Sequence, residues 1–248
     1  AEKDLRIKEL EDSLKEFKEA IKNYTKAIKI DTLNKEAYNK RGYDEMQIWH
    51  YEKAIKDFTK VIEIDSVFAN AYFYRGYSKY KNEAIEEAIT DFNKTLQIDT
   101  KYVKANYYRG EIKYESLDYN GAIDDFTKAI EFNPNYSKAY YNRGSAKYNL
   151  LDYFGAIEDY NKALEIDPKY QNVYFDRAST KYNLLDYNGA IEDYNKYIEI
   201  NPIYAEAYYW RGMAKILIKQ IESACLDFNK AKELGNKNAE EQIMKYCK

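Results

Sequence analysis

Few residues in this chain could make or break bonds, and none stands in a catalytic spacing. The single histidine, His50, follows Trp49 between two helical stretches, where a loop contact is a better use than proton transfer. No Ser–His–Asp set, phosphate-cradling glycine loop or metal-spaced cluster occurs. The expectation is a protein that is not an enzyme and holds no cofactor or metal. Cys225 and Cys247 make neither a disulfide framework nor a ligand cluster, and they read as reduced thiols packed as small apolar groups. A single bridge would require the last two helices to bring them together. What the chain has in abundance is the chemistry of recognition. Tyrosine, with 29 copies, presents a large, stiff and amphipathic surface at low entropic cost.

Charged residues make up 33% of the chain, yet the two signs are interleaved and the formal net charge is only -3. That balance opposes a phosphate backbone, so no nucleic-acid partner is expected. No apolar run approaches the roughly 20 residues needed to span a bilayer, so no membrane insertion is expected either. There is no signal peptide, and the chain begins at Ala1 without methionine. A preceding segment is therefore an open matter, and the cytoplasm is the default compartment.

The elements that must position these rings repeat with a period of 34 residues. Gly42, Gly76, Gly110, Gly144 and Gly212 share one phase, with Ala178 in the vacant slot. An alanine follows each (Ala54, Ala88, Ala122, Ala156, Ala190, Ala224), and then an aromatic (Phe58, Phe92, Phe126, Tyr160, Tyr194, Phe228). Such self-similarity marks stacked units that cannot bury their apolar faces alone. In residues 137–170, Ala139, Tyr140, Gly144 and Tyr148 have helical spacing, and Asp152 suits the N-cap of a second helix. Asp167–Pro168 ends that helix, because proline cannot donate to the preceding turn. Each unit is a helical hairpin. Its glycine and alanine are small where the two helices cross.

This pattern resembles the tetratricopeptide repeat, on Tyr140, Gly144, Ala156, Tyr160, Ala163 and Pro168 in one unit and Tyr38, Gly42, Ala54 and Phe58 in another. The resemblance covers essentially the whole chain. It implies an all-α fold, a right-handed superhelical solenoid of antiparallel helix pairs with about seven repeats. Six regular repeats fall at 35–68, 69–102, 103–136, 137–170, 171–204 and 205–238, and residues 239–248 read as a C-terminal capping helix. Residues 1–34 read as a degenerate first repeat, with Ser13 and Glu16 as a capping box. One long helix is the alternative, because Ile7, Leu10, Leu14, Phe17, Ile21, Tyr24 and Ile28 form an unbroken stripe. A homo-oligomer through residues 1–30 would follow from that seam.

Two positions depart from the family pattern. Arginine replaces the leucine before the glycine (Arg41, Arg75, Arg109, Arg143, Arg177, Arg211), and lysine mostly replaces the tyrosine three residues after it (Lys79, Lys113, Lys147, Lys181, Lys215). The same six units carry Asp57, Asp91, Asp125, Asp159, Asp193 and Asp227 on the second helix. A ladder of Arg–Asp pairs is expected, since a half-buried guanidinium is costly without a carboxylate. Six arginines reading an acidic ligand are the alternative.

The resemblance also implies that the first helix of each hairpin lines a concave groove. Its inward positions here are Phe73, Tyr74, Tyr77, Tyr80, Tyr107, Tyr108, Tyr114, Tyr141, Asn142, Tyr148, Asn149, Phe175, Tyr182, Tyr209 and Trp210, with Lys104, Lys138, Glu111 and Asp176 as sparse charges. The family's two-carboxylate clamp is not supplied by any three successive units. The expected function is a non-catalytic interaction scaffold that binds a protein or peptide, as an extended segment or a helix, in this Tyr/Asn-rich groove. The alternatives are a targeting or assembly module of a larger enzyme or secretion complex, and a single-stranded nucleic-acid binder.

Overall fold

The computed structural model describes residues 2–247; Ala1 and Lys248, and the side chains of residues 2–5 and 7, lie outside the described set. Fourteen helices and no strand occur among the described residues. They are α1 (Glu2–Ile30), α2 (Lys35–Gln47), α3 (Tyr51–Ile64), α4 (Ala69–Lys81), α5 (Ile85–Ile98), α6 (Val103–Glu115) and α7 (Tyr119–Phe132). There follow α8 (Ser137–Asn149), α9 (Tyr153–Ile166), α10 (Gln171–Asn183), α11 (Tyr187–Ile200), α12 (Ala205–Leu217), α13 (Ile221–Glu233) and α14 (Ala239–Tyr246). The chain divides into two compact units, residues 1–112 and 113–248.

In the first unit α1 packs on α2, and the pairs α2/α3 and α4/α5 pack in series. In the second, each helix from α7 to α14 packs on the next, and the first helices α8, α10 and α12 also touch. Consecutive helix pairs set side by side in this way make the fold a helical solenoid. The seams are dry. Ala54, Phe58, Ala88, Phe92, Ala156 and Phe228 are fully buried. The glycines permit that closeness: a Cβ on Gly212 would lie 2.7 Å from the Phe228 ring, and one on Gly144 would lie 2.9 Å from that of Tyr160.

Local chemistry starts and stops the helices. Asp118, Asp152 and Asp186 cap α7, α9 and α11 by accepting from the backbone N–H of Gly121, Gly155 and Gly189 at 2.9 to 3.0 Å. The turns inside the hairpins hold a feature that the periodicity did not reveal. Trp49, Glu83, Leu117, Leu151, Leu185 and Lys219 all have φ between 62° and 65°, a left-handed conformation normally left to glycine.

Residues 1–34 correct one expectation. No hairpin forms there, and α1 runs unbroken from Glu2 to Ile30 with Ser13 and Glu16 in its interior. The stretch from Glu9 to Phe17 contains good helix formers and neither glycine nor proline, so nothing interrupts propagation. Ile28 is buried, whereas Leu10 is 67% exposed and Leu14 40%. Ile7, the first member of the apolar stripe, has its side chain outside the described set. The cysteines correct another. Cys225 on α13 and Cys247 after α14 form a disulfide, with Cα atoms 5.6 Å apart. The terminal helix folds back along α13, which brings together thiols that sequence distance kept apart.

Candidate functional site

The arginine row is internal. In five repeats Nη2 of Arg41, Arg75, Arg143, Arg177 or Arg211 lies 2.5 to 2.6 Å from Oδ1 of Asp57, Asp91, Asp159, Asp193 or Asp227. The Nε atoms donate to the other oxygen at 2.8 to 2.9 Å, so each pair is bidentate. The partners lie in the same hairpin, 16 residues apart. Nη1 then reaches the helix before its hairpin, at Thr25 on α1 or at Thr59, Thr127, Asn161 or Asn195 on the second helix of the preceding repeat. Arg109 makes the equivalent contact with Asn93 at 2.7 Å. Each arginine thus ties two repeats together.

The lysine row explains itself beside it. Lys79, Lys113, Lys147, Lys181 and Lys215 each place Nζ 2.8 Å from the aspartate of their own repeat. The second repeat departs, with a buried Glu45 in place of lysine, 2.6 Å from Nδ1 of His50. Burial pushes the Asp57 carboxyl above its usual range; Arg41 pulls it back and Glu45 adds to the rise.

In the first unit the expected recognition residues separate into two groups. Phe73 is 2% exposed and Tyr107 5%, so both rings are packed largely inside. Phe73 is enclosed by Tyr74, Phe92, Tyr102 and Tyr108, with ring centroids 4.9 to 6.0 Å away. Phe73 thus packs against α6 of the next hairpin through Tyr108. The half-buried Tyr74, Tyr77 and Tyr108 line a cavity of about 170 Å³ together with Phe73, Tyr43, Met46, Gln47 and Lys104. Tyr80, also half-buried, lies beneath the Lys81 ammonium at 4.8 Å.

The second unit holds the larger aromatic cavity, about 360 Å³, lined by Tyr114, Tyr141, Tyr148, Asn149 and Phe175 with Ser145, Tyr160, Asp176 and Ser179. Its walls are fixed by hydrogen bonds between successive first helices. Asn149 donates to the Tyr114 hydroxyl at 3.0 Å, and Asn183 to that of Tyr148 at 3.0 Å. The Tyr141 hydroxyl donates to Oδ2 of Asp176 at 2.7 Å. Burial pushes the Tyr141 hydroxyl well above its usual pKa, and the charge of Asp176 pushes it further. Asn142 is half-buried and is not among the residues lining this cavity. Tyr182, Tyr209 and Trp210 form a separate edge-to-face set, with centroids 5.4 and 5.7 Å from the Trp210 ring.

Sequence reasoning missed Tyr160, Ser145 and Ser179 as lining residues and ranked Asp176 as incidental. Only Asp176 left a trace. At its repeat position the other units have Lys40, Tyr74, Tyr108, Asn142 and Trp210, so it is the one acid in the row.

Three models of the tetratricopeptide repeat match the sequence, over residues 137–170, over 110–150, and over 9–32, 171–204 and 205–244. The chain belongs to the tetratricopeptide repeat family. Solved tetratricopeptide repeat proteins share its fold. The MamA protein is 26% identical with a TM-score of 0.64, over 69% of this chain and 94% of that one. YrrB, described as "a TPR protein with an unusual peptide-binding site", is 23% identical with a TM-score of 0.64, over 74% and 95%. The C-terminal part of a TPR repeat-containing protein from Cytophaga hutchinsonii is 21% identical with a TM-score of 0.75, over 91% and 94%. No curated protein matches in sequence. Tetratricopeptide repeats are typically non-catalytic modules that bind proteins or peptides, and no helix among the described residues here is long and apolar enough to cross a membrane.

Proposed function

We propose that this tetratricopeptide repeat protein is a non-catalytic scaffold that holds a peptide segment or partner helix against the Tyr/Asn-rich faces of its first helices. The observation that carries this reading is the second-unit cavity, where four tyrosines, a phenylalanine, Asn149 and two serines surround one opening. Rings supply area at low entropic cost, and the amide and hydroxyl groups suit the backbone of an extended chain. The description of YrrB as having a peptide-binding site supports it by analogy of fold alone. Tyr107 is buried, and Phe73 lines only the smaller first-unit cavity. The test is selection from a random peptide library, followed by affinity measurement on a Tyr148→Ala, Asn149→Ala variant. Loss of at least tenfold in affinity with an unchanged circular dichroism spectrum is expected. Unchanged binding would exclude this cavity.

Self-association is a second reading, favoured by α1. Its N-terminal half leaves Leu10 and Leu14 exposed among charged neighbours, the arrangement of a helix that meets another helix. Light scattering on the full chain should show a dimer that Leu10→Glu with Leu14→Glu converts to monomer. A wild-type monomer at all concentrations would end this reading.

A further inference from the structure

Asp176 is the one carboxylate in the second-unit cavity, and it differs from the aspartates of the spine. Asp159, Asp193 and Asp227 each sit against an arginine and a lysine within 2.9 Å. Asp176 has no cationic partner among the described residues, and its only side-chain hydrogen bond is the one that Oδ2 accepts from Tyr141. Oδ1 receives none. Tyr114, Tyr141, Tyr148, Tyr160 and Phe175 line the same cavity. A carboxylate among aromatic side chains attracts a cation through its own charge, and a ring that turns its face to the cation adds to that attraction.

We propose that this cavity takes the lysine or arginine side chain of a peptide partner, its cationic head on Oδ1 of Asp176 and its stem against the tyrosine rings. The proposal rests on the peptide-binding reading above and names the residue that the site selects. Three observations support it. The charge of Asp176 adds to burial in raising the pKa of the Tyr160 hydroxyl, so its field crosses the cavity. Burial pushes Asp176 itself above the usual carboxylate range, with the Tyr141 bond offsetting part of the rise, and an incoming cation would relieve that cost. The lining includes the exposed Asn149, whose Nδ2 is held by Tyr114 and Ser145 and whose Oδ1 is left to accept a backbone N–H beside an inserted side chain. The first-unit cavity has Lys104 in its lining and is unsuited to the same occupant.

The experiment is peptide selection on the full chain, then binding of the selected peptide with its basic residue kept or replaced by norleucine, to wild type and to Asp176→Asn. Asparagine keeps the acceptor for Tyr141 and removes the charge. The expected result is a lysine or arginine at one fixed position in the selected peptides. Norleucine there should weaken binding to wild type at least tenfold, and Asp176→Asn should weaken the basic peptide by a similar factor while leaving the norleucine peptide unchanged. Peptides selected with no basic preference, yet lost on Tyr148→Ala with Asn149→Ala, would overturn this inference and leave the peptide-binding reading standing. No selectable peptide would overturn both. Displacement of the basic peptide by lysine amide at equal concentration would assign the site to small cations and overturn the choice of a peptide. The norleucine comparison on wild type decides the matter even if Asp176→Asn does not fold.

Discussion

At the scale of single residues, the partners of a carboxylate decide whether it holds the fold together or strains it. Asp159 receives a bidentate arginine and a lysine, so its charge is matched on both oxygens. Removing one partner from such a site costs about 3–5 kcal/mol, because the remaining charge is left buried and uncompensated. Asp176 lies at the other limit. Its folded pKa is raised by burial, so the fold favours its protonated form. The stability it contributes is present below the unfolded pKa of about 3.9 and is lost as pH rises through the raised folded value. Asp176→Asn should therefore raise the thermal midpoint at pH 7, by about 1 kcal/mol in stability. The gain should vanish near pH 3.5, where the wild-type acid is already neutral. Thermal melts at the two pH values check this, and a variant less stable than wild type at pH 7 would contradict it. A group that costs stability at neutral pH is what a binding site retains for its ligand.

At the scale of elements, the 34-residue phase made the helices legible, and the small residues at the crossing stated why each pair closes. The turns were less legible. Left-handed geometry was expected of no residue there, because leucine, tryptophan and lysine give no local sign of it. The geometry belongs to the backbone closure of the helix end: Leu151 N–H donates to the Tyr148 carbonyl and Asp152 N–H to that of Lys147, closing the end of α8. Leu151 takes φ 64° while 70% exposed, so its side chain does little to offset the conformation. Leu151→Gly should stabilise the protein by about 1 kcal/mol, read as a rise in the urea midpoint; a fall would show that the exposed leucine makes a contact of its own. Residues 1–34 show the converse. Ser13 and Glu16 carry the letters of a capping box, yet a cap forms only where the chain stops being helical, and nothing there stops it.

At the scale of the whole molecule, the Cys225–Cys247 bridge fastens the terminal helix to the last hairpin. It closes a loop with a sequence separation of 22, for which the chain-entropy model gives roughly 3 kcal/mol. In a stack of repeats that stabilisation is local, because each unit contacts only its neighbours. Reduction should therefore speed amide exchange in α13 and α14 and leave α8 and α9 unchanged. Equal protection before and after dithiothreitol would show that the bridge adds nothing. Bridges of this kind persist in oxidising surroundings. Protein purified without reductant should accordingly titrate with no free thiol.

The amino-acid sequence alone determined the repeat, the helix pairs, the tetratricopeptide resemblance and the Arg–Asp pairing, because each is written as a spacing that recurs six times. Repetition makes weak local signals add. The tertiary structure decided what occurs once. It placed Tyr107 inside and Tyr114, Tyr141 and Tyr148 around an opening, although all four carry similar rings at inward positions. It joined two cysteines, extended α1, and left Asp176 facing a cavity without a cation. Exposure, pairing and enclosure depend on what the neighbouring helix brings, and no spacing within one chain segment records that.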